Sequence, residues 1–252
     1  MTPMVVGSPP VEVLDEVDST NRIISERLTA GCPHGTAVRA RRQTAGRGRL
    51  GRTWVAPPDQ NLSLSVALAG AAWQSVAPLV PLAAGLATAT AVAQLTGVRP
   101  QLKWPNDLLV NGRKLAGILC EGATTPHRFA GIVVGIGLNV NIHTHTLPPD
   151  VSDRAASLLM LTGRPTDIDA LATAVVRSLL TVCDWLRVGE AARVIEGWRT
   201  LDALAGQVIT WTEAGAVRTG TADGIESTGA LRVTTPTGLV LLTAGEVTLR
   251  GG

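Results

Sequence analysis

The stretch QTAGRGRLGRTW, residues 43–54, decides which fold this chain can have. Gly46, Gly48 and Gly51 stand at the G-x-G-x-x-G spacing of a dinucleotide loop. That motif rests a pyrophosphate on the N-terminus of a helix that begins inside it. Here Pro57 and Pro58 follow closely, and consecutive prolines would break such a helix. NLSLSVAL, residues 61–68, then alternates Leu62, Leu64, Val66 and Leu68 with Ser63, Ser65 and Ala67, the pattern of a strand. A doubly wound dinucleotide fold is therefore not expected, and the glycines serve something else.

The loop is also basic. Arg39, Arg41, Arg42, Arg47, Arg49 and Arg52 bring six positive charges to residues 39–52 with no acidic residue, although the whole chain has a net charge of only +2. Arg39 and Arg41 alternate as on a solvated strand edge. The arginines among the glycines suit a mobile loop closing on phosphate or carboxylate, because a guanidinium fork binds both oxyanions bidentately.

With 252 residues and 45% hydrophobic content, the chain is long enough for one large domain and a small one. Its mild charge argues against general nucleic-acid binding. Cys32, Cys120 and Cys183 form no CxxC pair, so neither a disulfide framework nor a zinc ribbon is indicated and a reducing cytosol fits. The uncharged run between Asp59 and Arg99 is long enough for a membrane span. Its alternating start and its Gln and Pro interruptions favour a strand followed by a buried helix near residues 79–95. No basic-then-apolar leader opens the chain, so a soluble cytoplasmic protein is expected.

Asp18 and Ser19 offer caps for a helix through Ile23, Ile24 and Leu28 that stops at Gly31. Strands are expected at 36–42, 62–68, 107–110, 114–121 and 129–141, with NGRK at 111–114 turning the third into the fourth. Helices are expected at 157–162, 167–187 and 190–200. This is an α+β domain of catalytic size, a mixed set of strands and helices. Past Leu204 the text changes to short β-rich runs split by Gly, Thr and acidic turns, which suggests a small barrel of about five strands. The domains are set at 1–203 and 204–252.

Of 22 basic residues only Lys103 and Lys114 are lysines, and both lie in LKWPNDLLVNGRKLAGILCEG. A compact ammonium can sit between oxyanions where an arginine fork cannot. Asp107 can orient a base or a metal-bound water, or can simply cap a turn after Asn106. GIGLN, ending at Asn139, permits close approach by a ligand or a backbone, and packing alone explains it equally well. Trp54, Trp104 and Trp198 suit the core or the walls of a flat-ligand site. His143 and His145 share a strand face on paper, yet no convincing third metal ligand stands near them, and an exposed loop is the expectation.

DSTN at 18–21, QTAGRGRLGRTW at 43–54, KWPNDLLVNGRKLAGIL at 103–119, GIGLNVN at 135–141 and the carboxy-terminal barrel together resemble the biotin protein ligases, in order and across nearly the whole chain. The resemblance implies a class II synthetase-like catalytic domain, a mixed sheet flanked by helices, followed by an SH3-like β-barrel. It implies a biotin–[acetyl-CoA-carboxylase] ligase that makes biotinyl-5'-AMP from biotin and MgATP and then passes biotin to a lysine of the biotin carboxyl carrier protein. Ser19, Thr20, Asn21 and Gln43 would hold biotin, with Arg47, Gly48 and Arg49 covering it. Lys114 would meet its carboxylate and the reacting phosphate, and Lys114 and Arg49 would be catalytic. Arg49, Arg52, Trp54, Lys103, Asn106 and Asn139 would serve ATP or the adenylate, with Asn106 and Asp107 near Mg²⁺. Neither DNA nor a membrane is an expected partner, because the family's regulatory members carry an amino-terminal winged helix-turn-helix for which this sequence has no room. Leu50 stands where a basic residue is common in the loop. A lipoate or octanoyl ligase is the rival of the same class, and a non-catalytic biotin sensor the rival of a different one.

Overall fold

The structure, a computed structural model, describes residues 10–143, 145 and 147–249. Its larger sheet has seven strands in the order β1-β2-β3-β7-β6-β5-β4. These are β1 (Val11–Val17), β2 (Ala37–Gln43), β3 (Asn61–Ala69), β4 (Gln101–Lys103), β5 (Asp107–Val110), β6 (Arg113–Thr125) and β7 (Arg128–Asn139). β1 and β2 run parallel and every other ladder is antiparallel, so the sheet is mixed as expected. Two strands, β1 and β4, were not expected. They are the edges of the sheet. An edge strand buries little, so β1 shows no clean alternation, and β4 has only three residues.

The alternation in β3 sets the two faces. Leu62, Leu64, Val66 and Leu68 point into the main core, with Ile132, Val134, Ile136 and Leu138 of β7 beside them. Helices α2 (Val80–Thr96), α5 (Ile168–Arg187) and α6 (Ala191–Arg199) complete that core, and each fully buried Leu or Ile contributes about 1.5–3 kcal/mol. α2 belongs to the one apolar stretch among the described residues, Ala77–Thr96, with the length and composition to cross a membrane, and 67% of its apolar window is buried inside the protein. The reading of a buried core helix holds.

The other face of the sheet is lined by small residues. Near its end α1 (Thr20–Thr29) packs Ile24 and Leu28 on Val38, Ala67 and Val133. Beyond α1 that face carries Ser65, Gly117, Gly135 and Gly137, the floor of the site.

α3 (Pro149–Ser152) was not expected, whereas α4 (Leu158–Thr162) begins at Ser157, whose hydroxyl accepts from Met160 N–H, and α5 begins at Asp167, whose carboxylate accepts from Asp169 and Ala170 N–H. Arg39 departs from the solvated edge proposed for it. β2 lies between β1 and β3, so Arg39 is only 3% exposed, and its guanidinium is ion-paired with Asp169 on α5. Arg41 does face solvent, where it meets Asp59 and Asp15.

After α6 comes a five-stranded antiparallel sheet, β11-β10-β9-β8-β12, built from β8 (Val208–Glu213), β9 (Ala216–Ile225), β10 (Leu231–Thr235), β11 (Gly238–Leu242) and β12 (Val247–Leu249). The five strands match the expectation. Ile209, Trp211, Ala222, Ile225 and Val233 join the same core as the large sheet. Trp104 Nε1 donates to Gly229 O at 3.0 Å and Arg199 Nη2 to Ile225 O at 2.8 Å, which seats the small domain on the large one.

Candidate functional site

The glycine-rich segment folds back on itself, with Trp54 N–H donating to Gly46 O at 3.0 Å and Gly48 N–H to Arg52 O at 2.7 Å. A Cβ on Gly46 would lie 2.6 Å from Trp54 O, so the close return needs glycine there. Gly51 has φ +74 and Leu50 has φ 54, both left-handed, and no α-helix follows. The loop is thus a tight turn carrying Arg47, Arg49 and Arg52. With Leu119 and Glu121 of β6 it lines an open pocket of about 430 Å³, a size suited to a small molecule.

Beneath it runs a polar chain assembled from four elements. Gln43, the last residue of β2, accepts from Thr20 N–H at 2.8 Å and from Thr20 Oγ1 at 3.1 Å. Ser65 Oγ lies 2.8 Å from Thr20 Oγ1 and 2.6 Å from Asn21 Oδ1. Asn21 Nδ2 in turn donates to Glu121 Oε2 at 2.6 Å and to Leu119 O at 3.3 Å. Ser19 occupies the N-cap position of α1, yet its hydroxyl makes no hydrogen bond to the helix. Thr20, Asn21 and Gln43 therefore come together as expected, with Ser19 adjoining. Ser65 and Glu121 were missed. Ser65 lay on the small-residue side of an alternating strand, and Glu121 lies two and four residues from Leu119 and Gly117, the same strand face.

Two glycines of GIGLN have distinct tasks. A Cβ on Gly135 would overlap Asn21 Oδ1, and one on Gly137 would overlap the Trp54 indole. What approaches the strand closely is thus a side chain in each case. Gly137 pairs with Gly117, and the Trp54 ring lies on this shelf, between core residue and site wall.

The cations gather at the far end. A β-bulge shifts the β5–β6 register so that Asp107 faces Gly117 while Leu109 faces Lys114. One inserted residue turns Lys114 onto the face of Gly117, where strict alternation would have put it on the other. Lys114 Nζ sits 2.6 Å from Asp107 Oδ1, a charge contact without hydrogen-bond alignment, and 5.9 Å from the Trp54 ring centre. Arg49 Nη1 donates to Asn106 Oδ1 at 3.1 Å and its Nη2 to Gly245 O at 3.2 Å, while Arg52 is ion-paired with Glu246. The small domain's turn before β12 therefore touches the loop, a contact between residues so distant in sequence that nothing local signals it.

Burial holds Lys103 below the ordinary lysine range; Asp107 opposes this, and Lys114 and Arg52 reinforce it. Burial likewise lowers Arg49. Lys114, Lys103 and Arg49 thus surround the Asp107 carboxylate, and Arg52, paired with Glu246, stands beside them, an excess of positive charge suited to anionic groups.

Asn139 is the outlier among the expected site residues. It is 5% exposed, and its Nδ2 donates to Ala156 O at 3.0 Å and Lys114 O at 3.5 Å. Its amide is committed to the backbone that carries Lys114. Trp104 and Trp198 are buried in the core. The His143 and His145 rings lie 5.4 Å apart at a tilt of 32°, both exposed, and the described residues include no group of three or more His, Cys, Asp or Glu able to hold a metal.

A mixed sheet with a polar pocket under a basic glycine-rich loop, joined to a small antiparallel sheet, defines a class shared with known proteins. Residues 13–139 match the biotin/lipoate A/B protein ligase family, and residues 206–250 match the biotin protein ligase C terminal domain. The chain belongs to the biotin/lipoate A/B protein ligase family, on the side of it that carries the biotin protein ligase C terminal domain.

Its relatives agree. The bifunctional ligase/repressor BirA of Bacillus spizizenii is 34% identical over 153 residues, 61% of this chain, and the match spans 47% of that relative, about half its length. The biotin–[acetyl-CoA-carboxylase] ligase of Paracoccus denitrificans is 31% identical over 95% of this chain and 100% of its own. Biotin protein ligase from Aquifex aeolicus, solved in complex with biotin and ATP, superposes with a TM-score of 0.84 at 28% identity, covering 96% of this chain and 98% of that one.

Proposed function

We propose that this chain is a biotin–[acetyl-CoA-carboxylase] ligase, using biotin and MgATP to form biotinyl-5'-AMP and then biotinylating a lysine of the biotin carboxyl carrier protein. The observation that carries the reading is the gathering of Lys103, Lys114 and Arg49 around Asp107, with Arg52 beside them, on the sheet face that carries the hydrogen-bonded Thr20, Asn21 and Gln43.

In the first step a carboxylate oxygen of biotin attacks the α-phosphorus, the bond to the β-phosphate oxygen breaks and pyrophosphate leaves. Two anions must meet, so fixed positive charge is needed against their repulsion and for the charge that develops. Lys114 is the group for this role, because its ammonium lies over the Gly117 shelf beside both Asp107 and the Trp54 ring. Arg49, Arg52 and Lys103 take the nucleotide phosphates, and the Trp54 ring gives the adenylate an apolar wall. Ser19, Thr20, Asn21 and Gln43 hold the polar ring of biotin, and Arg47, Gly48 and Arg49 cover it. Water kept out by the loop cannot hydrolyse the mixed anhydride. In the second step the carrier lysine amine attacks the anhydride carbonyl and AMP leaves.

Magnesium fits as part of the nucleotide substrate. A Mg²⁺ bound mainly by phosphates needs only one or two protein carboxylates, and Asp107 can supply one. Asn106 is less suited, since its Oδ1 already accepts from Arg49 and its Nδ2 donates to Ile118 O at 2.9 Å. When bound, the ion supplies further charge neutralisation at the phosphates.

The test is incubation with biotin, MgATP and a biotin carrier domain, following pyrophosphate release and carrier mass. A biotinyl adduct on one lysine supports the reading. Turnover with lipoate and none with biotin would assign the chain to the lipoate side of the family. Biotin binding without pyrophosphate release would make it a sensor.

A further inference from the structure

The pocket wall holds an acid that the proposed reaction does not use. Glu121, on β6, is the one acidic residue in the lining of a pocket whose charged residues are otherwise Arg47, Arg49 and Arg52. One oxygen, Oε2, accepts from Asn21 Nδ2 at 2.6 Å and from Arg47 Nη2 at 3.2 Å. It therefore ends the polar chain Gln43–Thr20–Ser65–Asn21 and ties it to the glycine-rich loop. Asn21 is fixed from both sides, its Oδ1 by Ser65 and its Nδ2 by Glu121, and Gly135 leaves it room.

From this geometry we infer that Glu121 is a positioning residue that ties Arg47 of the glycine-rich loop to Asn21 on the floor, and that an anion entering the pocket competes with it for Arg47. The inference rests on the proposed ligase reading only for the identity of that anion, a carboxylate or phosphate of the substrate. Arg47 meets Glu121 through one nitrogen only, at 3.2 Å, so a bidentate oxyanion would satisfy more of its guanidinium than Glu121 does. An anion entering the pocket repels Glu121 and competes for Arg47, so the guanidinium transfers from protein to ligand as the loop settles. Glu121 keeps its contact with Asn21 throughout, because that donor is neutral and lies on the floor.

The ion pair is part-exposed, with side chains 48% and 34% accessible, so its effect on the loop is modest and screened by salt. Hydrogen exchange of the backbone amides of residues 46–54 reads it without any turnover. In ligand-free full-length protein, Glu121→Gln keeps an acceptor for Asn21 but loses the charge, and exchange in the loop should rise about 2- to 5-fold. Added salt should speed loop exchange more in the wild type than in the variant, which keeps only the Arg52–Glu246 pair. Arg47→Gln alone should produce the same acceleration, and Glu121→Gln added to Arg47→Gln should produce no more. Exchange in β8–β12 serves as the folding control, and Arg47→Gln tests the pair from the other side should the Glu121 variant be unstable. Unchanged loop exchange in both single variants, or a Glu121→Gln effect that persists in full on the Arg47→Gln background, would overturn the inference. Because no biotin or ATP is present, either result stands apart from the success or failure of the ligase assay.

Discussion

Lys114 Nζ lies 2.6 Å from Asp107 Oδ1 across a bulged hairpin, and the same lysine's carbonyl accepts from Ala156 N–H at 2.8 Å and lies 3.5 Å from Asn139 Nδ2. Its main chain is clamped while its ammonium is free to exchange one oxyanion for another. That is the arrangement the proposed adenylation would draw on.

Lys114→Arg should therefore remove most adenylation and leave the fold intact. The fork is longer and planar, so it cannot place its charge where the compact ammonium lies over Gly117 beside Asp107. One positioned charge is worth roughly 2–4 kcal/mol in the barrier. Biotin-dependent pyrophosphate release and a thermal melt measure the two halves; a near-normal rate removes Lys114 from the chemistry.

Arg49→Gly should loosen the adenylate more than it loosens biotin. The change deletes the donors to Asn106 and Gly245 and makes the loop more flexible, so ordering it costs more entropy and returns less contact. Released biotinyl-5'-AMP should label lysines of bystander proteins, scored by avidin blot beside adenylate dissociation. Dissociation and selectivity equal to wild type would return the loop arginines to a solvated role.

Affinity for ATP should fall on the alkaline side as Lys103 loses its proton, and earlier than for an ordinary lysine, because burial lowers its pKa. Asp107 opposes that shift, so Asp107→Asn should move the falling limb of 1/KM for ATP to lower pH. For folding, the sign is opposite. Between the lowered folded value and the unfolded one, the unfolded chain binds more protons, so this group makes stability rise with pH in that window. A limb that moves upward in Asp107→Asn contradicts the assignment.

Gly135→Ala should weaken biotin binding through Asn21. The new methyl overlaps Asn21 Oδ1, which is held by Ser65, and overpacking of this kind costs about 1–3 kcal/mol. Asn21→Ala on the same chain vacates that space and should restore the melting temperature without restoring biotin affinity by calorimetry. Failure to recover the melt would place the strain elsewhere.

Much of this was legible along the chain. The prolines after the glycine-rich loop ruled out a crossover helix, the β3 alternation told core from site face, and Asn111–Gly112, at φ 51 and 74, gave the hairpin its turn. These signals are local, carried by backbone preference and a period of two. Lys103 and Lys114 stood out as the only lysines, Thr20, Asn21 and Gln43 came from motif resemblance, and the fold brings them to one side of one sheet. The tertiary structure alone decided what depends on neighbours distant in sequence. It buried Arg39 against Asp169, committed Asn139 to the Lys114 backbone and set Glu121 between Asn21 and Arg47. It also brought Gly245 and Glu246 to the loop arginines. Lys114 shows the division most clearly: its identity stands out as one of two lysines, but strict alternation puts it on the wrong face. The bulge that turns it toward Asp107 exists only once β5 and β6 have paired, because register is a property of two strands and not of either alone.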